Sequence, residues 1–243
     1  MSTSRVINLN DVEINVITLC LASPESEIRF SPFNFLLTKD KPCCSVIGPS
    51  GSGKTTFFKS LIHRFRSDWS DHSTVDIRLT VRVNGVELNK NSDSIGYAAQ
   101  RPFFLPHKTV VENLRIPFRW IGSPFPTENV LNECISNFKL DSLRERRAYQ
   151  LSAGERQRLN LARMFLGNPA IAVIDECLSP MDEEMAADIG NTIADKYSPF
   201  TRILVTGHRT VDLKPFMYSS GRFSYTEGNS GRTPIRNITV VTS

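Results

Sequence analysis

The stretch GPSGSGKTT at Gly48–Thr56 leaves a chain few ways to fold. Before it runs CCSVI, apolar and short enough for a buried strand. After it, Phe57, Phe58, Leu61, Ile62 and Phe65 recur at helical spacing on one face of a helix beginning near Lys54. A strand, a glycine-rich turn and a helix in that order aim several backbone N–H groups, and the partially positive helix N-terminus, at one point. Gly48, Gly53, Lys54 and Thr55 meet the spacing G-x-x-x-x-G-K-T, and Pro49, Ser50, Gly51, Ser52 and Thr56 complete the loop. Its chemistry is the binding of a nucleoside triphosphate: Lys54 reaches the β- and γ-phosphates, and the Thr55 hydroxyl ligates Mg2+.

A chain of 243 residues, 40% hydrophobic and 22% charged, can bury the core of one large domain. Its 29 basic and 25 acidic residues are spread along the sequence without a polybasic arm, so no nucleic-acid partner is expected. Cys20, Cys43, Cys44, Cys134 and Cys177 are odd in number and lack Cys-x-x-Cys spacing, which argues against a disulfide framework or a zinc site and fits a reducing cytosol. Near the N-terminus, Val12, Ile14 and Val16 alternate as in a strand, and Asp11 and Glu13 break any resemblance to a signal peptide. No apolar run approaches the ~18 residues that span a bilayer, so any work at a membrane is expected to go through a partner.

TVDIRLTVRVNGVEL, AIAVID and TRILVTG are strand-like runs separated by helical patterns, which predicts an α/β domain with a largely parallel sheet. Residues 102–165 are expected to form an inserted helical subdomain, with Thr109 and Glu112 marking a helix start. The polar C-terminal stretch, 229–243, is expected to be a loose tail after one terminal strand.

Two further stretches carry chemistry. Ile171–Ile174 is wholly apolar and delivers Asp175 and Glu176 at a strand's C-terminal end, where open α/β sheets bind ligands. Asp175 is placed to hold magnesium, and Glu176 to polarise the water that attacks the γ-phosphate. LSAGERQRLNLARMF, Leu151–Phe165, opens with a capping box, Ser152 with Glu155, before an amphipathic helix that turns Leu159, Ala162, Phe165 and Leu166 inward. That cap is a sufficient structural reason for Ser152 and Glu155. It leaves Gly154 unexplained, because glycine weakens a first helical turn unless something must approach the backbone closely.

LSAGERQR resembles the signature motif of ATP-binding-cassette (ABC) ATPases, Leu-Ser-Gly-Gly-Gln, with Ala153 and Glu155 as departures. Other family marks follow in order: Gln100 in IGYAAQ resembles the Q-loop, SPMD at Ser179–Asp182 the D-loop, and His208 in LVTGHR the switch histidine. The resemblance spans nearly the whole chain and implies a P-loop NTPase fold with a RecA-like core, an antiparallel β-subdomain and the helical insertion. It implies ATP and Mg2+ as ligands, with Glu176 and His208 catalytic, and Thr55, Gln100 and Asp175 at the metal. In this family two cassettes bind head to tail, which gives Ser152, Gly154, Glu155 and Asp182 a role at a partner's nucleotide and implies a homodimer. His63, His72 and His107 take the default reading of solvated or core residues. The family's upstream aromatic for stacking adenine is missing, which leaves Leu19 or Leu21 as candidates for that contact, and Pro180-Met181 replaces smaller D-loop residues.

The implied function is ATP hydrolysis that drives a membrane transporter from its cytoplasmic face, with the membrane subunit docking near Gln100, Phe103, Phe104, Phe118 and Trp120. The alternative is a soluble ABC ATPase of a cytoplasmic assembly. Long coiled coils of the chromosome-organising kind are not expected, since only about fifty residues separate Gln100 from Leu151. A small P-loop kinase would leave Leu151–Glu155 and His208 without a role.

Overall fold

The computed structural model describes residues 9–22, 27–63, 74–88, 94–207, 214–230 and 233–242. Its first strand, β1 (Asp11–Ala22), buries Val12, Ile14 and Val16 on one face, the period-two pattern the sequence predicts. β1 pairs antiparallel with β2 (Glu27–Phe30), β3 (Phe33–Thr38) and β5 (Thr74–Val83). Asn84 and Gly85, both at positive φ, then turn β5 back into the short β6 (Val86–Glu87), as a two-residue hairpin requires.

The other half of the sheet is parallel. β4 (Cys43–Ile47), β9 (Arg202–Thr206), β8 (Ile171–Asp175) and β7 (Ile95–Ala98) lie side by side in that order. β8 and β9 are buried at every position because both their faces are covered, which is why IAVI and ILV read as unbroken apolar runs. Consecutive residues of β8 feed opposite cores. Ala172 and Ile174 pack on the side of α2 (Val110–Ile121), α3 (Glu128–Asn137), α4 (Ala153–Leu166) and α5 (Glu183–Lys196), whereas Ile171 and Val173 pack on the side of α1 (Lys54–His63). The expected α/β core with an antiparallel β-subdomain is present. α2 starts at the Thr109 capping box, with the Glu112 N–H 3.1 Å from Thr109 Oγ1 and the Thr109 N–H 2.8 Å from Glu112 Oε2.

One expectation is overturned. Of the stretch 229–243 expected to be a loose tail, the described residues are strand: β10 (Ser219–Ser230) and β11 (Thr233–Thr242) pair antiparallel. β10 pairs parallel with β4 and β11 parallel with β2, so this pair joins the two halves of the sheet. The polar composition masked an alternation that turns Ile238 and Val240 into the α1-side core, and ladders on both sides pair the backbone of β11 over Ile235–Ile238.

Arg202, wholly buried on β9, donates to the carbonyls of Ser198 (2.9 Å), Leu9 and Asn10 (3.4 Å), and so ties β9 to the end of α5 and the segment before β1. Burial holds its pKa below the usual arginine value. Arg202→Ala removes a buried charge-assisted network and leaves carbonyls without donors, an expected loss of about 3 kcal/mol. For a chain of this size that lowers the melting temperature by roughly 6–12 °C. Thermal denaturation followed by circular dichroism reads the shift, and an unchanged midpoint would show that the network does not hold the fold.

Candidate functional site

The glycine-rich loop joins β4 to α1. Phe57, in the first turn of α1, lies among Phe33, Phe35 and Phe223 at centroid distances of 5.2, 5.7 and 5.8 Å, which fixes the helix start against the sheet. Gly53 sits at φ +86°, and a Cβ there would stand 2.3 Å from Ile238 Cδ1 and 2.8 Å from Phe30 Cζ. Only glycine lets β2 and β11 back the loop this closely. Lys54 is buried, and its ammonium donates to the carbonyls of Gly48 (2.8 Å) and Pro49 (3.0 Å). Burial lowers its pKa, while Glu176 and Asp175 pull in the opposite direction.

Asp175 ends β8 fully buried, where Thr55 Oγ1 donates to its Oδ1 at 3.3 Å and the Tyr97 hydroxyl to its Oδ2 at 3.0 Å. Burial raises its pKa and outweighs those two donors, and the neighbouring charge of Glu176 adds to the rise. Glu176 follows at φ +56°, with its N–H on the Thr206 carbonyl at 3.1 Å. A left-handed backbone costs a non-glycine residue about 1–3 kcal/mol and is the kind of strain that a functional turn retains. The turn aims the Glu176 carboxylate at Gln100, whose Nε2 donates to Oε2.

A cavity of about 300 Å³ opens above the loop, lined by Ser50 through Thr56 with Gln100, Glu176, Ile28 and Arg236. Two hydroxyls nearby are buried without a hydrogen-bond partner: Ser52 Oγ in the loop, and Thr206 Oγ1, which lies opposite Asp175 in the β8–β9 ladder. Buried polar groups are rarely left orphaned. An unsatisfied donor in an anion-binding loop, and a hydroxyl next to a carboxylate that is itself bonded to Thr55, suit a phosphate and a hydrated divalent cation.

Ser152, Gly154, Glu155 and Asp182 lie outside this cavity. Ser152 caps α4, accepting from the Glu155 N–H at 3.2 Å and donating its own N–H to Glu155 Oε2 at 2.7 Å, yet it stays exposed. Asp182 caps α5, accepting from the Met185 N–H at 2.8 Å. Gly154 has a structural reason within the chain, since a Cβ there would stand 3.3 Å from the Pro180 carbonyl oxygen and 3.7 Å from Met181 Cα. The start of α4 thus packs on the Ser179–Asp182 turn. His208 lies outside the described residues.

Several supporting residues were not singled out from the sequence. Gln157 Nε2 donates to the Gln100 carbonyl at 2.6 Å, Asn160 Nδ2 to the Ala99 carbonyl at 2.9 Å, and the Cys177 thiol to the Ala98 carbonyl at 3.2 Å. A signal was available: Gln157 and Asn160 are polar residues at i, i+3 beside the inward positions of an amphipathic helix. Tyr97, bonded to Asp175, carried no such signal. Leu19 and Leu21, considered for adenine, are each 1% exposed and belong to the α1-side core, so neither is free to meet a base.

Residues 33–179, more than half of the chain, match the family model described as ABC transporter. The molybdenum import ATP-binding protein ModC of Pseudomonas syringae is 31% identical over 177 residues, 72% of this chain and 45% of that protein. The cell division ATP-binding protein FtsE of Streptococcus pneumoniae is 29% identical over 168 residues, 68% of this chain and 72% of that protein. The chain therefore spans under half the length of ModC and most of FtsE. Among solved structures, the ADP conformation of MJ1267, an ATP-binding cassette of an ABC transporter, superposes with a TM-score of 0.66 at 22% identity, covering 88% of this chain and 87% of that one. The dimeric structure of MJ0796, a bacterial ABC transporter cassette, gives 0.67 at 20% identity, covering 86% and 93%. Loop, paired carboxylates, family match and fold agree: the chain belongs to the ABC transporter family, as an ATP-binding cassette.

Proposed function

We propose that this chain hydrolyses ATP as the cytoplasmic nucleotide-binding subunit of a membrane transporter, working as a head-to-tail pair of copies with the nucleotides held between them. The observation that carries the pairing is the separation of the two anion-binding ends. The cavity takes its lining from the phosphate loop, Gln100 and Glu176, while Ser152 stands exposed at the N-terminus of α4, outside it. A helix start whose polar cap is exposed suits an anion brought by another molecule, and a second copy holding a triphosphate brings one.

Within each copy the geometry supports the following roles. The loop N–H groups and Lys54 bind the phosphates, and Lys54 gives up the Gly48 and Pro49 carbonyls to do so. Thr55 and Asp175 would hold Mg2+, with Gln100 at its edge; bound there, the ion neutralises charge on the phosphates. Glu176 accepts the proton of the attacking water once its carboxylate turns from Gln100, and His208 is assigned to the γ-phosphate by its sequence position alone. Ser152 and the Gly154 backbone meet the partner's γ-phosphate, with Glu155 and Asp182 holding the two caps in place.

The membrane partner is assigned to the face beside Gln100. Phe103 and Trp120 are 67% and 69% exposed, whereas Phe104 is buried beneath Arg163 and Phe118 packs on Phe125. Only the first two are free to receive a partner. Among the described residues no helix is long and apolar enough to cross a membrane, and the molybdenum import named for ModC supports a membrane setting.

Glu176→Gln is expected to lower hydrolysis by about 10²–10⁴-fold while the variant forms a stable dimer in saturating Mg·ATP, read by light scattering after size-exclusion chromatography; a variant that stays monomeric sinks the pairing. Affinity purification in mild detergent should recover a multi-span membrane protein, and Phe103→Ala with Trp120→Ala should release it with ATP affinity unchanged. Recovery of soluble partners alone, from a preparation that retains membrane proteins, would favour a soluble assembly ATPase.

A further inference from the structure

Part of the wall of the nucleotide cavity is formed by residues for which the loop motif gives no reason. β2 and β11 run parallel, with Phe30 beside Ile238 and Ile28 beside Arg236. The first pair backs Gly53, where the loop enters α1. The second pair lies two residues earlier on both strands, with Arg236 against Gly51, and both of its members line the cavity. Lys54 and Thr55 take the phosphates, which leaves Ile28 and Arg236, alone in the lining outside the loop and the Gln100–Glu176 pair, for the remainder of a nucleotide.

Arg236 is held there from three sides. One guanidinium nitrogen donates to the Gly51 carbonyl at 3.1 Å, another to Glu227 Oε1 at 3.0 Å, and Cζ lies 4.7 Å from the centroid of Tyr225. The edges of the guanidinium are thus turned to a carbonyl and a carboxylate, and Glu227 offsets its charge. One face rests on Tyr225. The opposite face is left for a planar ligand, and a guanidinium stacks well on aromatic rings. Ile28 adds an apolar surface beside it. Among the described residues that line the cavity none is aromatic, so no ring competes for this role.

We infer that Arg236, stacked on Tyr225 and flanked by Ile28, is the platform for the purine base of the bound nucleotide. The inference rests on the reading that the loop binds a nucleoside triphosphate. It makes the base contact a cation–π stack, with the selectivity of a plane rather than of a hydrogen-bonded edge, so GTP binds within a few fold of ATP. Holding a base adds about tenfold to affinity in comparable stacks, an increment that inorganic triphosphate, lacking a base, cannot gain.

Isothermal titration of the full chain with ATP and with inorganic triphosphate separates the outcomes. Arg236→Ala should raise the Kd for ATP about tenfold and leave that for triphosphate within twofold; Arg236→Lys, which keeps the charge and loses the plane, should behave like Arg236→Ala. Ile28→Ala, which leaves the guanidinium and its partners in place, should weaken ATP about threefold and triphosphate not at all, and serves as the test if Arg236→Ala fails to fold by circular dichroism. Equal losses for both ligands would place the guanidinium on the phosphates and overturn the inference. Full recovery by lysine, or unchanged ATP affinity in Arg236→Ala and Ile28→Ala, would overturn it as well. Wild-type protein that binds neither ligand would instead remove the nucleotide reading itself.

Discussion

A carboxylate buried at the end of a central strand sets the terms for the rest of this molecule. Asp175 is reached by Thr55 from the start of α1 and by Tyr97 from β7, so three elements meet on its two oxygens. Two neutral hydroxyls do not compensate a buried charge, which is why its pKa rises despite them. Lys54 is close enough to feel this charge but spends its hydrogen bonds on the loop carbonyls. The centre is therefore electrostatically incomplete as a protein alone: a carboxylate short of cations beside a lysine short of anions. A phosphate with a divalent cation satisfies both at once, and binding that corrects a desolvation cost stabilises the folded state by mass action.

α4 links this centre to the surface. α4 begins at the exposed Ser152 cap, and within two turns, a rise of roughly 8–12 Å, Gln157 and Asn160 hold the carbonyls of Gln100 and Ala99. One turn further, Arg163 donates to the Phe103 carbonyl at 2.8 Å and lies 4.6 Å from the centroid of the Phe104 ring. One helix thus touches the exposed Ser152 cap, the glutamine facing Glu176, and the segment that carries an exposed aromatic. The three places are thus joined by one helix and its side-chain hydrogen bonds rather than by a loop.

Much of this was legible because it is local. The loop motif needs only a strand, a turn and a helix consecutive in sequence; the capping boxes at Thr109 and Ser152 need four residues each; β8 and β9 announce double burial by unbroken apolar runs. What the sequence hid is set by distant pairings. Gly154 looked as if it awaited a foreign phosphate, and it also admits the Pro180 carbonyl, which only the packing of α4 on the following turn could reveal. Leu19 and Leu21 looked available because an alternating strand shows which residues share a face, not whether that face is covered. The C-terminal stretch looked loose because its Ser, Gly and Thr content outweighed a short alternation, and nothing near it in sequence supplies its partners.

The same distinction divides the nucleotide site. Its phosphate half is built from Gly48–Thr56 and needs few long-range contacts to take shape, whereas its other wall requires β2, near the start of the chain, to lie beside β11, near its end. Pairings across nearly the whole sequence are formed against the largest loop-closure entropy and are expected late in folding. The antiparallel half of the sheet is joined to the parallel half through this ladder and through the β10–β4 pairing, so forming these pairings both completes the sheet and brings Ile28 and Arg236 to the cavity. The phosphate half is thus set by a local motif, whereas the wall that carries Ile28 and Arg236 is set by which side chains alternate along two distant strands.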